Sequence, residues 1–542
     1  MGATILNREK TSGRYYNYFN VVGEDGQERS VDLERIKFRK VEEVNVVMIA
    51  RERHSEPECK TAKQVELQKL KDFKSYKEVK DDGQFRISST WVLWYKGEEV
   101  RARLVARGYE EPEEVPSDSP TVDKNNIRLL LAISESKHWE LQSSDVKAAF
   151  LQGKLLDRMV TMKPPKEANV PAGTLWQLQV ALYGLDDASL RFYLKCREEL
   201  VQLGCEQSKL DPALFFKHDQ KKELEGVIAL HVDDFLHTGS ESFKENVSRK
   251  LEKIFQMGRT ESGVFKYVGF ELEQQQDSIK LSLNEYAKNI DLIDVKPERA
   301  LQKDEEMTPE EKSLMRKASG KIGWLARGSR PDLAFHQVEM STKFVRGKVR
   351  DLVQASKIIR KAKDSEASLI VRDLGDIGEW KIEVFTDASL SNLNEGVDSA
   401  GASLVLIVGK DNNCVPISWQ ANKIKRIVHS TLEAECLSLV EGLEEAIYVR
   451  EVIEEIFNLK EKSIHLKAIV DNKSTVDAVH STTAVGDRKL RRDVSKIKQL
   501  LNEKEISSVQ WCPGNMQLAD CMTKRTASSY ELLKLFQTGK KV

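Results

Sequence analysis

Two adjacent aspartates inside an apolar run constrain this chain more than any other stretch. The run is LHVDDF at residues 230–235, and mostly β-branched or apolar residues precede it from Val227. This pattern predicts a strand, a tight turn at the acids and a second strand. Ionised carboxylates beside buried apolar residues are costly unless they are paired or bind a cation. Asp233 and Asp234 therefore mark either a metal site or, more simply, a solvated hairpin tip.

Length and composition indicate a large, soluble, intracellular protein. A chain of 542 residues exceeds one hydrophobic core and predicts about three or four domains. Hydrophobic residues make up 40% and charged residues 32%, and we expect neither a membrane span nor a secretory signal. Seven cysteines without a CxxC pair predict reduced, structural thiols and no zinc site.

The overall charge gives a weak argument against nucleic-acid binding. Lys and Arg total 85 against 86 for Asp and Glu, a net charge of −1, whereas nucleic-acid binders usually carry a basic excess. A large enzyme can still hold a basic channel on an otherwise acidic surface. The charge therefore does not exclude a nucleic-acid partner.

The segments before the aspartate pair supply a third acid and several basic residues. We expect a linker or small appendage at 1–60, a helix at 62–79, and strands at 85–95 and 100–109. Arg103 and Arg107 lie in the last of these, which indicates either a solvated strand face or a contact with a triphosphate or template backbone. A helix at 126–136 and a strand at 141–150 follow, and the strand carries Asp145 and Phe150. Further short elements are expected as a strand at 176–182 and a helix at 187–203.

Three acids on two segments suit phosphoryl transfer with two metal ions. Asp145 near a strand end would meet Asp233 and Asp234 at a turn. In such a site one ion activates the attacking 3′-oxygen and the other stabilises the leaving pyrophosphate.

The region from 242 to 372 is expected to be mainly helical, with helices at 285–292, 312–325 and 351–367. It holds a basic stretch that suits either a solvated surface or a thumb that grips a duplex: Lys317, Lys321, Arg327, Arg330, Lys343, Arg346, Lys348 and Arg350.

A second set of acids follows a new strand pattern. Strands are predicted at 381–386, 402–408, 415–419, 466–470 and 508–511, with a long helix at 431–457. Taken singly, an Asp after a strand is usually a turn or N-cap residue. Four acids from four elements could instead hold two metals for phosphodiester hydrolysis by water. The candidates are Asp387, Glu435 with Glu433 as its rival, Asp471 and Asp520.

Six ordered blocks resemble the reverse transcriptase of copia-type LTR retrotransposons over residues 62–375. The blocks are ARLVARGY at 102–109, DVKAAFLQG at 145–153, LYGL at 182–185, LHVDDF at 230–235, KYVGFELE at 266–273 and SRPDLAF at 329–335.

This resemblance implies roles for individual residues. Phe150 is similar to the steric gate that excludes a ribose 2′-hydroxyl. Arg103 and Arg107 would contact the incoming triphosphate or the template. The implied metal ligands are Asp145, Asp233 and Asp234.

The C-terminal acids lie in blocks that resemble the RNase H domain of the same elements: TDAS at 386–389, STLEAE at 430–435, VDN at 470–472 and QLAD at 517–520. The resemblance implies Asp387, Glu435, Asp471 and Asp520 as metal ligands. Glu435 is preferred to Glu433 because the AECLSL spacing matches the family pattern. No His precedes Asp520 where some RNase H enzymes keep one. A basic stretch suits either a hybrid backbone or a solvated helix face: Lys489, Arg491, Arg492, Lys496 and Lys498.

Two features depart from the family pattern. His231 stands where the family commonly has Tyr. The basic run after LYGL is replaced by residues 186–191, DDASLR. Two extra acids near template and nucleotide would reduce efficiency, although they remove no ligand.

The resemblance implies an α/β (α+β) fold with a right-hand polymerase followed by an RNase H-like mixed-sheet domain. The expected domains are a linker or appendage at 1–60, fingers and palm at 61–240, the end of the palm with thumb and connection at 241–375, and the RNase H-like domain at 376–542.

The implied activity is an RNA- and DNA-directed DNA polymerase with linked RNase H endonuclease, acting in transposition and its associated DNA integration. Its expected cofactors are two Mg²⁺ per active site, with Mn²⁺ as a substitute. Its expected partners are an RNA template, a DNA primer, an RNA:DNA hybrid and dNTPs, in cytoplasmic virus-like particles or the nucleus. The alternatives are a decayed or domesticated copy that only binds nucleic acid, and a protein in which only RNase H works.

Overall fold

The computed structural model describes residues 4–8, 18–22 and 28–32 as backbone, and residues 48–483 and 485–541. Its strands, in chain order, are β1 Thr4–Arg8, β2 Tyr18–Val22, β3 Glu28–Asp32, β4 Tyr76–Lys80, β5 Ser89–Lys96, β6 Glu99–Ala106, β7 Leu141–Val146, β8 Thr161–Met162, β9 Thr174–Leu178, β10 Glu206–Gln207, β11 Leu214–His218, β12 Leu224–His231, β13 Asp234–Gly239, β14 Met257–Ser262, β15 Val264–Tyr267, β16 Phe270–Gln274, β17 Ile279–Ser282, β18 Ser368–Val371, β19 Lys381–Leu393, β20 Asp398–Val408, β21 Cys414–Lys423, β22 His465–Val470 and β23 Ser508–Trp511.

The α-helices of the same residues are α1 Pro57–Asp72, α2 Lys124–Ser136, α3 Ala188–Gln202, α4 Glu241–Phe243, α5 Arg249–Ile254, α6 Asn284–Lys288, α7 Pro297–Leu301, α8 Pro309–Gly328, α9 Ala334–Thr342, α10 Val349–Asp364, α11 Thr431–Ile456, α12 Lys473–His480, α13 Arg488–Asn502 and α14 Tyr530–Thr538. None of the helices described is long and apolar enough to cross a membrane. All seven cysteines are free and buried, as expected for structural thiols.

One compact unit comprises residues 1–120, 146–202 and 253–256. It contains a β5–β6 hairpin and two three-stranded sheets with the orders β1-β2-β3 and β4-β9-β8. Trp176 of β9 is fully buried and stacks on Tyr76 with ring centroids 3.8 Å apart. Large aromatic side chains contribute strongly to core stability, so this pair helps to hold α1 and the β4-β9-β8 sheet around one core.

The second compact unit comprises residues 121–145, 203–252 and 257–542. It holds a six-stranded sheet of order β10-β11-β12-β13-β7-β14, a four-stranded sheet of order β15-β16-β17-β18 and a five-stranded sheet of order β21-β20-β19-β22-β23. In the six-stranded sheet β11, β12, β13 and β7 pair antiparallel with their neighbours. This arrangement brings the central hairpin beside β7.

The five-stranded sheet is mixed. Strands β19, β20 and β21 are antiparallel neighbours, whereas β22 runs parallel to both β19 and β23. Helix α11 packs on β19 and β20, and Gly442 allows their close approach because a Cβ there would lie 2.5 Å from Thr386 Cγ2. This packing places the first turns of α11 beside the centre of the sheet.

Several predicted elements are shorter than expected. The helix predicted at 62–79 ends at Asp72, because Lys74 adopts a left-handed φ of 49° and Ser75 donates its backbone N–H to Leu70 O, a helix-terminating turn. The strand predicted at 141–150 ends at Val146, and a 3-10 turn at Ala149–Gln152 follows.

The prediction of a mainly helical region at 242–372 is confirmed, and the helices expected at 285–292, 312–325 and 351–367 overlap α6, α8 and α10, but five strands in this region were not predicted. Strands β14 to β18 interrupt the helices. Alternating burial of short strands, as in β15 and β16, was too brief to be recognised as a period of two.

Candidate active sites

The aspartate pair lies at a two-residue hairpin turn. His231 of β12 pairs directly with Asp234 of β13, which leaves Val232 and Asp233 as the loop. Val232 has a φ of 58°, a left-handed conformation that is rare and strained for a β-branched residue. The predicted strand, turn and strand are confirmed, and β13 begins at the second acid.

The third acid is brought to the pair by strand register. Asp145 of β7 lies directly opposite Asp234 of β13. Ligand oxygens of Asp145, Asp233 and Asp234 all lie within 4.8 Å of one another, and Asp233 is buried while the other two are half-buried. Three carboxylates at this separation form an oxygen-rich group of the kind that Mg²⁺ or Mn²⁺ prefers.

A glycine that the sequence patterns did not indicate borders this group. A Cβ on Gly258 of β14 would lie 2.6 Å from Asp145 Oδ2, so a larger side chain would displace the carboxylate. The sequence signal that could have indicated Gly258 is a glycine inside a strand, because such a glycine often marks a place where another chain segment packs closely.

The predicted nucleotide-contacting residues lie in the first unit. The Arg103 guanidinium lies 4.0 Å from the ring centroid of Tyr183 and 5.4 Å from that of Trp94. The Phe150 ring is 5.1 Å from the same Tyr183 ring, at an interplanar angle of 50°. Arg107 instead donates from Nη1 to Ser88 Oγ at 3.2 Å. The structure therefore brings Arg103 and Phe150 to one shared neighbour.

The unusual acid at Asp187 is ion-paired inside the first unit. Its carboxylate lies 2.6 Å from Arg158 Nη1 and 2.6 Å from Arg191 Nε, and Arg158 also pairs with Glu111 at 2.8 Å. Buried carboxylates are tolerated when they are paired in this way. Asp187 is thus a buried, paired acid, and the expected effect of residues 186–191 on efficiency stays a prediction.

The second acidic group lies on the five-stranded sheet. Asp387 of β19, Glu435 in the second turn of α11 and Asp471 just after β22 have ligand oxygens within 4.8 Å of one another. Asp387 lies inside β19 rather than after it, and its exposure is 0%. Glu433, the rival candidate, accepts from the backbone N–H of His429 at 2.8 Å, as a capping residue does. The geometry thus favours Glu435.

The electrostatics of this group fit a cation. Burial, followed by the nearby Asp387 and Asp471, raises the pKa of Glu435 to about 9. Burial also raises the pKa of Asp387 to about 6 against the opposing effect of Lys524, and raises the pKa of Asp471. Like charges that share a buried site disfavour ionisation, so a divalent cation would stabilise the ionised carboxylates.

Asp520 joins this group only indirectly. It is not one of the three acids whose oxygens meet within 4.8 Å. Lys524 pairs with Asp520 and lies 3.4 Å from Asp387 Oδ1. Gln517 holds the same segment on β19 by donating to Thr386 O at 3.0 Å. Asp520 therefore stays a predicted ligand.

Both basic stretches are exposed or half-buried apart from one residue, Arg330. Arg330 is buried and forms a two-bond pair with Asp332 at 2.9 and 3.0 Å, so it does not contribute to a duplex-facing surface as suggested. On α13, Lys489, Arg491, Arg492 and Lys496 are exposed opposite the buried apolar face. That helix fits both interpretations of its basic stretch.

Comparison with known proteins places part of this chain in a family of polymerases. Residues 73–297 match the family described as reverse transcriptase (RNA-dependent DNA polymerase). The chain is similar to the retrovirus-related Pol polyprotein from transposon TNT 1-94 of Nicotiana tabacum, with 25% identity over 452 residues. It is also similar to the polyprotein from transposon RE1 of Arabidopsis thaliana, with 25% identity over 375 residues.

Each match covers most of this chain but only a small part of the relative. The match to the tobacco polyprotein takes in 77% of this chain and 33% of the relative, and that to the Arabidopsis polyprotein 66% and 25%. The chain thus spans between a quarter and a third of the relatives' length.

A solved structure shares the fold. The foamy viral protease-reverse transcriptase dRH in complex with double-stranded DNA superposes with a TM-score of 0.50 at 11% identity, covering 84% of this chain and 70% of that one. At this identity the likeness concerns the fold alone, and it shows a mixed α/β fold of polymerase type.

Proposed function

We propose that this chain, a copia-type retrotransposon Pol polyprotein fragment, is an RNA-directed DNA polymerase with a linked RNase H activity. The observation that carries the proposal is the direct pairing of Asp145 with Asp234 beside the Asp233 turn. We assign fingers and palm to 61–240, the end of the palm with thumb and connection to 241–375, and the RNase H-like domain to 376–542.

The polymerase group would hold two Mg²⁺ ions. Three carboxylates with oxygens within 4.8 Å fit a hard divalent cation. When bound, the metal pair lowers the pKa of the primer 3′-hydroxyl and neutralises charge on the leaving pyrophosphate. The protein's part is to hold two acids opposite each other on paired strands and the third in the adjoining turn, so that their oxygens need no reorganisation when substrate arrives.

Residues of the first unit would select the nucleotide. Phe150 is proposed to exclude a ribose 2′-hydroxyl by its bulk. Arg103 and Arg107 are proposed to bind the triphosphate or the template backbone, where a guanidinium can donate two hydrogen bonds to phosphate oxygens. The pairing of Asp187 with Arg158 and Arg191 is compatible with this proposal, because it leaves no unpaired carboxylate at Asp187.

The second acidic group is proposed to hydrolyse the RNA strand of the hybrid. Asp387, Glu435 and Asp471 come from two parallel strands and one helix, and Asp520 is proposed as the fourth ligand. The exposed basic face of α13 would bind hybrid phosphates. Recognition would depend on helix shape and 2′-hydroxyls, because A-form helices hide base edges.

The test is extension of a labelled DNA primer on an RNA template by the purified full chain, with Mg²⁺ and then Mn²⁺, while template cleavage is followed in the same reaction. Asp233→Asn should abolish extension and spare cleavage. Asp471→Asn should abolish cleavage and spare extension. Asp277→Asn, an exposed acid outside both groups, is the matched control and should change neither.

Other outcomes point elsewhere. Cleavage without extension would restrict the activity to RNase H. Folded protein that binds the hybrid and performs neither reaction would support a decayed or domesticated copy. Extension that survives Asp233→Asn would refute the metal-site assignment.

A further inference from the structure

Tyr183 is shared by the two side chains proposed to contact the nucleotide. Its ring centroid lies 4.0 Å from the Arg103 guanidinium and 5.1 Å from the Phe150 ring. These distances fall within the ranges for cation–π and aromatic pairs. Arg103 belongs to β6, Phe150 to the 3-10 turn Ala149–Gln152, and Tyr183 to the turn that follows β9. One ring thus connects three separate segments.

The backbone around Tyr183 is fixed tightly. Ala106 at the end of β6 donates its N–H to Tyr183 O at 2.7 Å. Gly184 has a φ of 94°, and a Cβ there would lie 2.1 Å from Ala106 O. The turn therefore lies directly against β6, and the Tyr183 ring, with an exposure of 7%, has little freedom to move.

Phe150 depends on its neighbours more than Tyr183 does. It lies two residues after Ala148, whose φ of 50° is left-handed, and its side chain is only half-buried. A ring that must block a single hydroxyl group has to be held to within about 0.5 Å. Contact with the buried Tyr183 ring supplies such a support.

We propose that Tyr183 is a positioning residue that sets both sugar discrimination, through Phe150, and nucleotide affinity, through Arg103. The inference rests on the proposed polymerase function. Tyr183 itself need not touch the nucleotide. Removing its ring would loosen both neighbours, whereas removing only its hydroxyl would leave both ring contacts in place.

Steady-state primer extension with dNTPs and with rNTPs tests this role in the full chain. Tyr183→Leu should raise the KM for dNTPs about tenfold with a smaller change in kcat, and reduce discrimination against rNTPs about tenfold, as expected for the loss of one ring contact each. Tyr183→Phe should stay within about twofold of wild type on both measures, because the π faces remain.

Trp94→Leu is the matched control. It removes the second ring beside Arg103, at 5.4 Å, and should raise the KM about threefold while leaving sugar discrimination unchanged. Nucleotide affinity is also read without turnover, as dNTP-dependent stabilisation of the complex with a dideoxy-terminated primer–template in a gel-shift assay.

Melting temperatures identify variants that fail to fold. If Tyr183→Leu does so, Tyr183→Met is used, because methionine fills irregular core gaps. A folded Leu or Met variant with wild-type discrimination overturns the inference and leaves the polymerase proposal intact, as does equal loss in Trp94→Leu. A folded wild-type protein that neither extends a primer nor forms the dNTP-dependent complex overturns the polymerase proposal together with the inference.

Discussion

The Arg128 guanidinium lies 3.7 Å from the ring centroid of Trp419 in the interior of the second unit. Arg128 is 2% exposed and donates from Nη1 to Ile417 O at 2.8 Å. The Trp419 indole in turn donates to Ala326 O at 2.7 Å. These contacts join α2, β21 and α8 around one buried cation.

Loss of this cation should destabilise the second unit strongly. Arg128→Met leaves buried carbonyl groups without donors, and we expect a loss of about 3 kcal/mol. The measurement is the urea midpoint followed by circular dichroism. Arg249→Met removes an exposed arginine that pairs with the exposed Glu245 and should cost at most about 0.5 kcal/mol. Equal midpoints for the two variants would contradict the structural role of Arg128.

The Asp187 network should be essential to the first unit. Asp187→Asn leaves the half-buried Arg158 and Arg191 with one carboxylate fewer, and we expect a loss of about 3 kcal/mol with reduced primer extension. Hybrid cleavage should persist. Asp157→Asn is the control, since Asp157 pairs with the same Arg191 but is 79% exposed. A variant at Asp187 that is as stable as this control would show that the network contributes little.

His237 should make stability depend on pH. Its ring lies between Ser144 Oγ at 3.1 Å and Ser248 Oγ at 3.2 Å, and burial lowers its pKa to about 4 from an ordinary 6.5. Between these values the unfolded chain binds the extra proton, so stability is fully present above pH 6.5 and is lost as pH falls towards 4. The loss amounts to about 3 kcal/mol.

The check on His237 is urea denaturation at pH 4.5, 5.5 and 6.5 for wild type and His237→Gln. Glutamine can still hydrogen bond to both serines but does not titrate. The variant should lose part of the pH dependence. Parallel curves for the two proteins would rule out His237 as its source.

Divalent metal should stabilise the second unit through the acidic group formed by Asp387, Glu435 and Asp471. Adding Mg²⁺ should raise the melting temperature of wild type, because an ion that binds only the folded state shifts the unfolding equilibrium. Glu435→Gln removes one ligand charge and should reduce that increase. Glu433→Gln, two residues away in the same helix, should retain it. A reversed order of the two variants would favour Glu433 as the ligand.

Local sequence patterns predicted the positions of the clustered acids well, but they did not predict contacts between residues far apart in the chain. The hairpin around Asp233 follows from alternation and an acidic turn, both visible within about ten residues. Arg191 lies only four residues after Asp187, a spacing at which helical side chains meet. The second partner, Arg158, and the Glu111 that pairs with it could not be predicted, because they lie far along the chain and only tertiary packing brings them together. Tyr183 was likewise visible only as part of a turn motif.

In the second acidic group, too, local patterns predicted positions along the chain but not contacts between distant residues. The sequence placed Asp471 after a strand, which the structure confirms, but it placed Asp387 at a strand end when β19 continues to Leu393. The end of a strand is hard to locate from sequence when no clear change in the pattern of apolar and polar residues marks it. The link from Lys524 to Asp387 joins residues whose proximity depends on the folded sheet, so no local pattern could indicate it.

The acidic group of Asp145, Asp233 and Asp234 depends on the register between β7 and β13 as well as on the identity of its residues. Asp145 faces Asp234 because each strand has a set number of residues up to that pair. Side chains alternate between faces, so a shift by one residue would turn a carboxylate to the opposite face of the sheet. A single-residue insertion in β13 would thus separate intact ligands, and copies of such a gene can lose activity while every aspartate is retained.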